Sequence, residues 1–179
     1  MFFNANPFDR RIENTAAESV DETIEPSNKL SYIVKSVNNQ TKKPNVMAVI
    51  NTPKEDRVMP FHNIGFMVID ELARRHSVQN VSKSSFEGEL FKMGPHFLLK
   101  PTTYMNLSGR SILAVKNFYK IDEVIVIHDD LDLPFGSLRF KSGGGHGGHN
   151  GLKSTDAAIS PEYVRVRMGI GKPEHKSQI

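Results

Sequence analysis

At 179 residues the chain suits one domain with some length to spare, and 38% hydrophobic with 24% charged residues is too apolar for full disorder. It contains no Cys, which excludes a disulfide framework, thiolate catalysis and cysteine-held zinc or iron–sulfur centres, and no apolar run reaches the about 18 residues of a membrane span. The formal charge of +3 is uneven: residues 1–30 carry six acidic and three basic side chains, leaving +6 on the remainder, a sign that tolerates a polyanion such as RNA without identifying one.

Residues 1–45 are rich in Asn, Ser, Thr and Glu and are predicted to form a mobile polar extension, with Leu30–Val37 as a short strand at most. They lack the basic start, apolar core and small-residue cleavage site of a secretory signal, and their acids argue against a mitochondrial transit peptide. Residues 46–179 are read as the folded body. Val46–Ile50 reads as a buried strand. His62–His76 carries Ile64, Met67, Val68 and Leu72 on one helical face. His96–Lys100 reads as a strand stopped by Pro101, Ser108–Tyr119 as a helix, and Val124–Ile127 (VIVI) as a buried strand with Asp129 and Asp130 just past its end. Leu138–Lys141 alternates. Gly143–Gly151 is a glycine loop with Asn150 as N-cap of a helix from Leu152 to Ile159, and Tyr163–Ile170 alternates until Gly171 and Pro173 stop it. Alternating strands and helices without repeats predict an α/β domain.

Three polar clusters adjoin these elements: His62-Asn63, His128-Asp129-Asp130-Leu131-Asp132, and Ser142–Gly151 (SGGGHGGHNG). In open α/β sheets ligands gather beyond the strand carboxyl ends, which favours the second cluster. A general-base His needs a carboxylate to fix its tautomer and stabilise its cation; His62 and Asp129 make such a pair only if the fold joins them, and a His at a helix start also serves simply as a cap or surface residue. His128, His146 and His149 with the aspartates supply a weaker metal reading, without an HExxH pattern or cysteines. The glycine loop lacks the GK[ST] ending of a P-loop, so it is either a flexible connection or a place where backbone must be approached closely. Arg139, Lys141, Arg165 and Arg167 flank it; Arg165 and Arg167 share a strand face, either as a solvated surface or as a phosphate-binding rim.

Lys100–Gly109 (KPTTYMNLSG), Val126–Ser154 (VIHDDLDLPFGSLRFKSGGGHGGHNGLKS), Val164–Pro173 (VRVRMGIGKP) and His62–Phe66 (HNIGF) resemble the bacterial-type peptidyl-tRNA hydrolases, in a near-continuous match from His62 to Pro173. The resemblance implies a three-layer α/β/α single domain with a mixed twisted sheet. It implies hydrolysis of the ester joining a peptide to the 3′ ribose of tRNA, with His62 as general base on water and Asp129 as the carboxylate that orients it. It further implies that Asn106 and Asn150 hydrogen-bond the substrate, that Tyr104 and Met105 line the groove, and that Arg139, Lys141, Arg165 and Arg167 meet acceptor-stem phosphates. No metal, cofactor or covalent intermediate is implied; the partner is peptidyl-tRNA, its acceptor stem and 3′ end, and no membrane.

Three departures accompany the resemblance. The stretch Val49–Asn63 (VINTPKEDRVMPFHN) replaces the family's GLGNPG string, and ungapped counting from His62 places Thr52, beside Asn51, where the family has its discriminating Asn. The sequence ends at Ile179, so the family's C-terminal helix that walls the cleft is expected to be missing, and the 1–45 extension is additional. These departures suit an extended eukaryotic or organellar member, soluble and intracellular, with cytoplasm and mitochondrion both open. They also leave a second functional class standing: a non-catalytic RNA-binding or ribosome-associated component on the same fold, alone or within a larger assembly.

Overall fold

The computed structural model describes residues 45–49, as backbone, and 64–172. The extension 1–44, the suggested strand Leu30–Val37, and His62, Asn63, Asn51 and Thr52 lie outside the described residues. In chain order the elements are β1 (Asn45–Val49), α1 (Ile64–Arg75), β2 (Gln79–Asn80), β3 (Gly88–Met93), β4 (His96–Pro101), α2 (Ser108–Tyr119), β5 (Glu123–Asp130), β6 (Leu138–Ser142), α3 (Asn150–Ile159) and β7 (Val164–Gly169), with 3₁₀ turns at Ser84–Phe86 and Met105–Leu107.

The seven strands form one sheet in the order β2-β3-β4-β1-β5-β7-β6. β1 is parallel to β4 and β5, and β5 to β7, while β2, β3 and β6 add antiparallel pairings at the two edges. The central strands are read most easily from sequence because both of their faces are covered. In β5, Ile125 and Ile127 pack with Val68, Ile69 and Leu72 of α1, whereas Val124 and Val126 pack with Ile112 and Val115 of α2 and Leu152 of α3. This is the three-layer α/β/α arrangement with a mixed sheet that the resemblance implied. Each fully buried aliphatic side chain here contributes about 1.5–3 kcal/mol of transfer free energy.

Local chemistry sets the ends of the elements. Arg74 and Arg75 occupy the last turn of α1, where cations suit the helix dipole, and both bind Glu71 one turn back. Lys120 closes α2 in the left-handed region at φ 56°, its N–H bonding the Lys116 carbonyl. Two features differ from the sequence reading. β5 continues through Asp130, because β7 pairs alongside it as far as Asp129↔Met168 and Asp130↔Gly169, so the His128–Asp130 cluster lies within the strand rather than past it. β2 and β3 have no counterpart in the sequence reading; β3 buries Leu90 on the α2/α3 side of the sheet and Met93 on the α1 side, with Glu89 and Lys92 exposed between them.

Candidate active site

Side-chain alternation along β5 decides where its polar end points. Asp129 follows Ile125 and Ile127 onto the face that α1 covers, and His128 follows Val124 and Val126 onto the other. Asp129 is buried at 7% exposure. The His149 ring stands over it from the glycine loop, Nε2 lying 3.5 Å from Asp129 Oδ1. The tautomer of His149 follows from its other nitrogen. Nδ1 accepts the N–H groups of Gly151 at 3.1 Å and Leu152 at 3.3 Å, so the ring proton sits on Nε2 and points at the carboxylate. His149 is thus the N-cap of α3, and the helix begins at Asn150. This corrects the expectation of an Asn150 cap and a start at Leu152: an imidazole acceptor satisfies the two leading amides, which frees the Asn150 side chain to stand exposed at the helix mouth.

His128 lies edge-to-face against His149 with ring centroids 5.2 Å apart. Its Nδ1 is 2.7 Å from the Asp129 carbonyl, which can only accept, so Nδ1 carries the hydrogen and Nε2 is a buried acceptor without a hydrogen-bond partner among the described residues. Burial, reinforced by His149, pushes the His128 pKa down to about 4 against the pull of Asp129 and Asp130, so the ring is neutral at physiological pH.

The second part of the site is a seam between helices. Asn106 and Asn150 are 44 positions apart in the sequence, yet the turn Met105–Leu107 packs against α3 and α2 packs along it. Gly109 permits this: its N–H donates to Ser154 Oγ at 3.0 Å, and any Cβ there would overlap the Ser154 backbone carbonyl. Asn106 is exposed on that turn and Tyr104 is 60% exposed beside it, whereas Met105 is partly buried against the α2–α3 core. The carboxylate, the imidazole and the two amides therefore belong to the C-terminal end of β5 and the leading ends of α2 and α3.

The basic rim differs from expectation. Register places Arg139 opposite Arg167 and Lys141 opposite Arg165, so all four side chains share the α2/α3 face of the sheet. Arg139 and Lys141 are exposed there. Arg167 is engaged by Asp130 at 2.7 Å. Arg165 is not part of a solvent-facing rim: it is 2% exposed, and its guanidinium binds the carbonyls of Gly144 and Gly145 and the Asp156 carboxylate. α3 covers the face onto which Arg165 points, a fact its alternating strand pattern does not contain. His149 carried no special signal either, because imidazole is an uncommon cap and its carboxylate lies 20 positions away in sequence. Among the described residues no three His, Asp or Glu side chains are grouped to hold a metal ion, and no helix is long and apolar enough to cross a membrane.

Comparison with known proteins adds lineage to this geometry. A family model described as peptidyl-tRNA hydrolase matches residues 53–179. The chain is 73% identical over 118 residues to the peptidyl-tRNA hydrolase of Sulfurimonas denitrificans, covering 66% of this chain and 64% of that protein. It is 62% identical over 120 residues to that of a Sulfurovum species, with the same coverages of 66% and 64%. The crystal structure of peptidyl-tRNA hydrolase from Acinetobacter baumannii superposes with a TM-score of 0.66 at 34% identity, covering 76% of this chain and 72% of that one. The chain belongs to the peptidyl-tRNA hydrolase family. It spans 64% of the length of the first of these curated relatives.

Proposed function

We propose that the protein hydrolyses the ester between a peptide and the 3′ ribose of tRNA, with His62 removing a proton from the attacking water and Asp129 orienting His62. The observation that carries this reading is the buried Asp129 carboxylate at the C-terminal end of β5, pointing to the face where α1 packs. α1 begins two residues after His62 in the sequence, so the chain segment bearing His62 leads directly into the helix on the Asp129 side. A carboxylate in that position stabilises the imidazolium formed as water is deprotonated. His149 Nε2–H approaches the same carboxylate and helps keep it aimed.

Asn106 and Asn150 supply amide donors and acceptors, a chemistry matched to a peptide backbone and to the oxyanion that develops at an ester carbonyl. Tyr104 and Met105 form the adjoining wall, and Asn51 and Thr52 are further candidates for contact with the substrate. Exposed Arg139 and Lys141 suit tRNA phosphates, with Arg167 held beside them by Asp130.

The test is release of N-acetylated amino acid from N-acetylaminoacyl-tRNA by the purified chain. His62→Ala should abolish release, and Asp129→Asn should lower kcat by roughly 10²–10⁴-fold. Turnover by the His62→Ala protein at the rate of the unmodified one would refute the assignment of the base.

A further inference from the structure

The glycine loop poses a physical problem. Residues 143–148 include five glycines, four of them at positive φ, and such a segment has more conformational freedom to lose than any other of its length. Yet its far end carries His149 to within 3.5 Å of Asp129 and starts the helix turn bearing Asn150. Something must hold it.

The far end is held by the His149 cap. The near end is held by the start of β7 at three successive residues. Gly143 N–H donates to the Tyr163 carbonyl at 3.0 Å, and the two NH₂ groups of Arg165 donate to the carbonyls of Gly144 at 2.6 Å and Gly145 at 2.7 Å. Arg165 also binds Asp156 Oδ1 at 3.1 Å, and its guanidinium lies 4.7 Å from the centre of the Tyr163 ring. Tyr163 Oη donates to the same Asp156 oxygen at 2.6 Å. Between clamp and cap only residues 146–148 remain, and these close on themselves: the His149 N–H bonds the His146 carbonyl, and the Gly148 N–H bonds His146 Nδ1.

We infer that Arg165 is a positioning residue for the reaction, a buried clamp on the Gly144 and Gly145 carbonyls that holds His149 and Asn150 in register with Asp129. The inference rests on the hydrolase reading of the site. A phosphate contact is a poor alternative for this side chain, since it is buried and its terminal nitrogens are already engaged. Only a planar fork spans two adjacent carbonyls and a carboxylate at once; a lysine ammonium, a single nitrogen on a flexible stem, does not. Asp156 balances the buried charge, and Tyr163 fixes Asp156.

The experiment compares the full chain with its Arg165→Lys and Tyr163→Phe variants, at a temperature where circular dichroism shows each one folded. Three quantities are read: turnover at saturating N-acetylaminoacyl-tRNA, affinity for uncharged tRNA, and the long-range ¹H–¹⁵N spectrum of the His149 imidazole. Arg165→Lys should lower turnover about tenfold to a hundredfold, because a shift of about an ångström at the site suffices for that. Its tRNA affinity should stay within about twofold, since no phosphate contact is removed, and the single Nε2–H tautomer of His149 should give way to a mixture. Tyr163→Phe should move turnover and spectrum the same way by a smaller amount, and it decides the matter if Arg165→Lys does not fold. Wild-type turnover together with an unchanged His149 spectrum in the folded variants would overturn the inference. So would retained turnover with weakened tRNA binding, which would return Arg165 to the phosphate rim. If the unmodified chain cleaves no ester, the functional reading fails, while the His149 spectrum still decides the clamp.

Discussion

His128 shows how a single side chain links burial to a measurable property. Its ordinary pKa of 6.5 is pushed down to about 4 by burial, with His149 adding to the effect and Asp129 and Asp130 opposing it. Between those values the unfolded chain holds a proton on this ring that the folded chain does not. Stability must therefore fall as pH drops from about 6.5 to about 4 and level off below, by an amount of the order of 3 kcal/mol. Calorimetric Tm measured across that window should show the decline. His128→Asn, which keeps a donor for the Asp129 carbonyl and cannot titrate, should remove most of it; an equally steep decline in that variant would assign the effect to other groups. At this scale the sequence was partly legible. Asp129, Asn106 and Asn150 were identified from their motif strings, and Asp129 was found buried beside an imidazole. That imidazole is His149, whose cap and carboxylate contacts span 2 and 20 positions respectively, and only the longer of the two depends on the fold.

Among the elements, the seam between α2 and α3 carries the most consequence, because it accompanies the packing of the Asn106 turn against α3. Gly109 is its closest point. A methyl group there would overlap the Ser154 backbone carbonyl and crowd Ala158 Cβ, and neither is the mobile end of a flexible side chain. Gly109→Ala should therefore force the helices apart, lowering stability by about 1–3 kcal/mol and slowing turnover as the two amides separate. Denaturant midpoints and kcat measured on one preparation test both parts, and a variant as stable and as fast as the parent would show the seam to be more yielding than its geometry implies. The helices and the central strands were readable from apolar periodicity, since Val68 and Leu72 of α1, Ile112 and Val115 of α2 and Val124–Ile127 of β5 are buried; Met67, which the same spacing selects, is instead 62% exposed, and Ile69 takes the core position beside Val68. β3 was not, because each of its faces mixes a buried apolar residue with a charged one, Met93 with Glu89 on one face and Leu90 with Lys92 on the other, which leaves neither a continuous apolar run nor a clean alternation.

For the molecule as a whole, charge acts through placement. The basic excess lies outside residues 1–30, and in the sheet four basic residues share one face at the β6–β7 edge, but only two of them, Arg139 and Lys141, stand exposed. If these two meet phosphate, log affinity for tRNA should fall linearly with log salt, and the Arg139→Ala, Lys141→Ala double variant should flatten that slope by roughly 1–2. Filter binding over a salt series measures it; an unaltered slope would remove both residues from the RNA contact. Arg165, buried under α3, should leave the slope unmoved.

Periodicity and motif spacing are local, and what they report is local: which residues form a helix face, which strand is covered on both sides, and which short strings belong to the peptidyl-tRNA hydrolase family. The sequence by itself therefore determined the α/β class, the central strands and the candidate carboxylate and amides. Which charges are exposed and which are covered depends on the element that packs above them, and only the tertiary structure decided that. It set Arg165 against two glycine carbonyls instead of solvent, and it turned a glycine loop into a fixed bridge from β7 to Asp129. A guanidinium in a strand carries the same pattern signal in either place; its partners are contributed by residues 9 to 21 positions away.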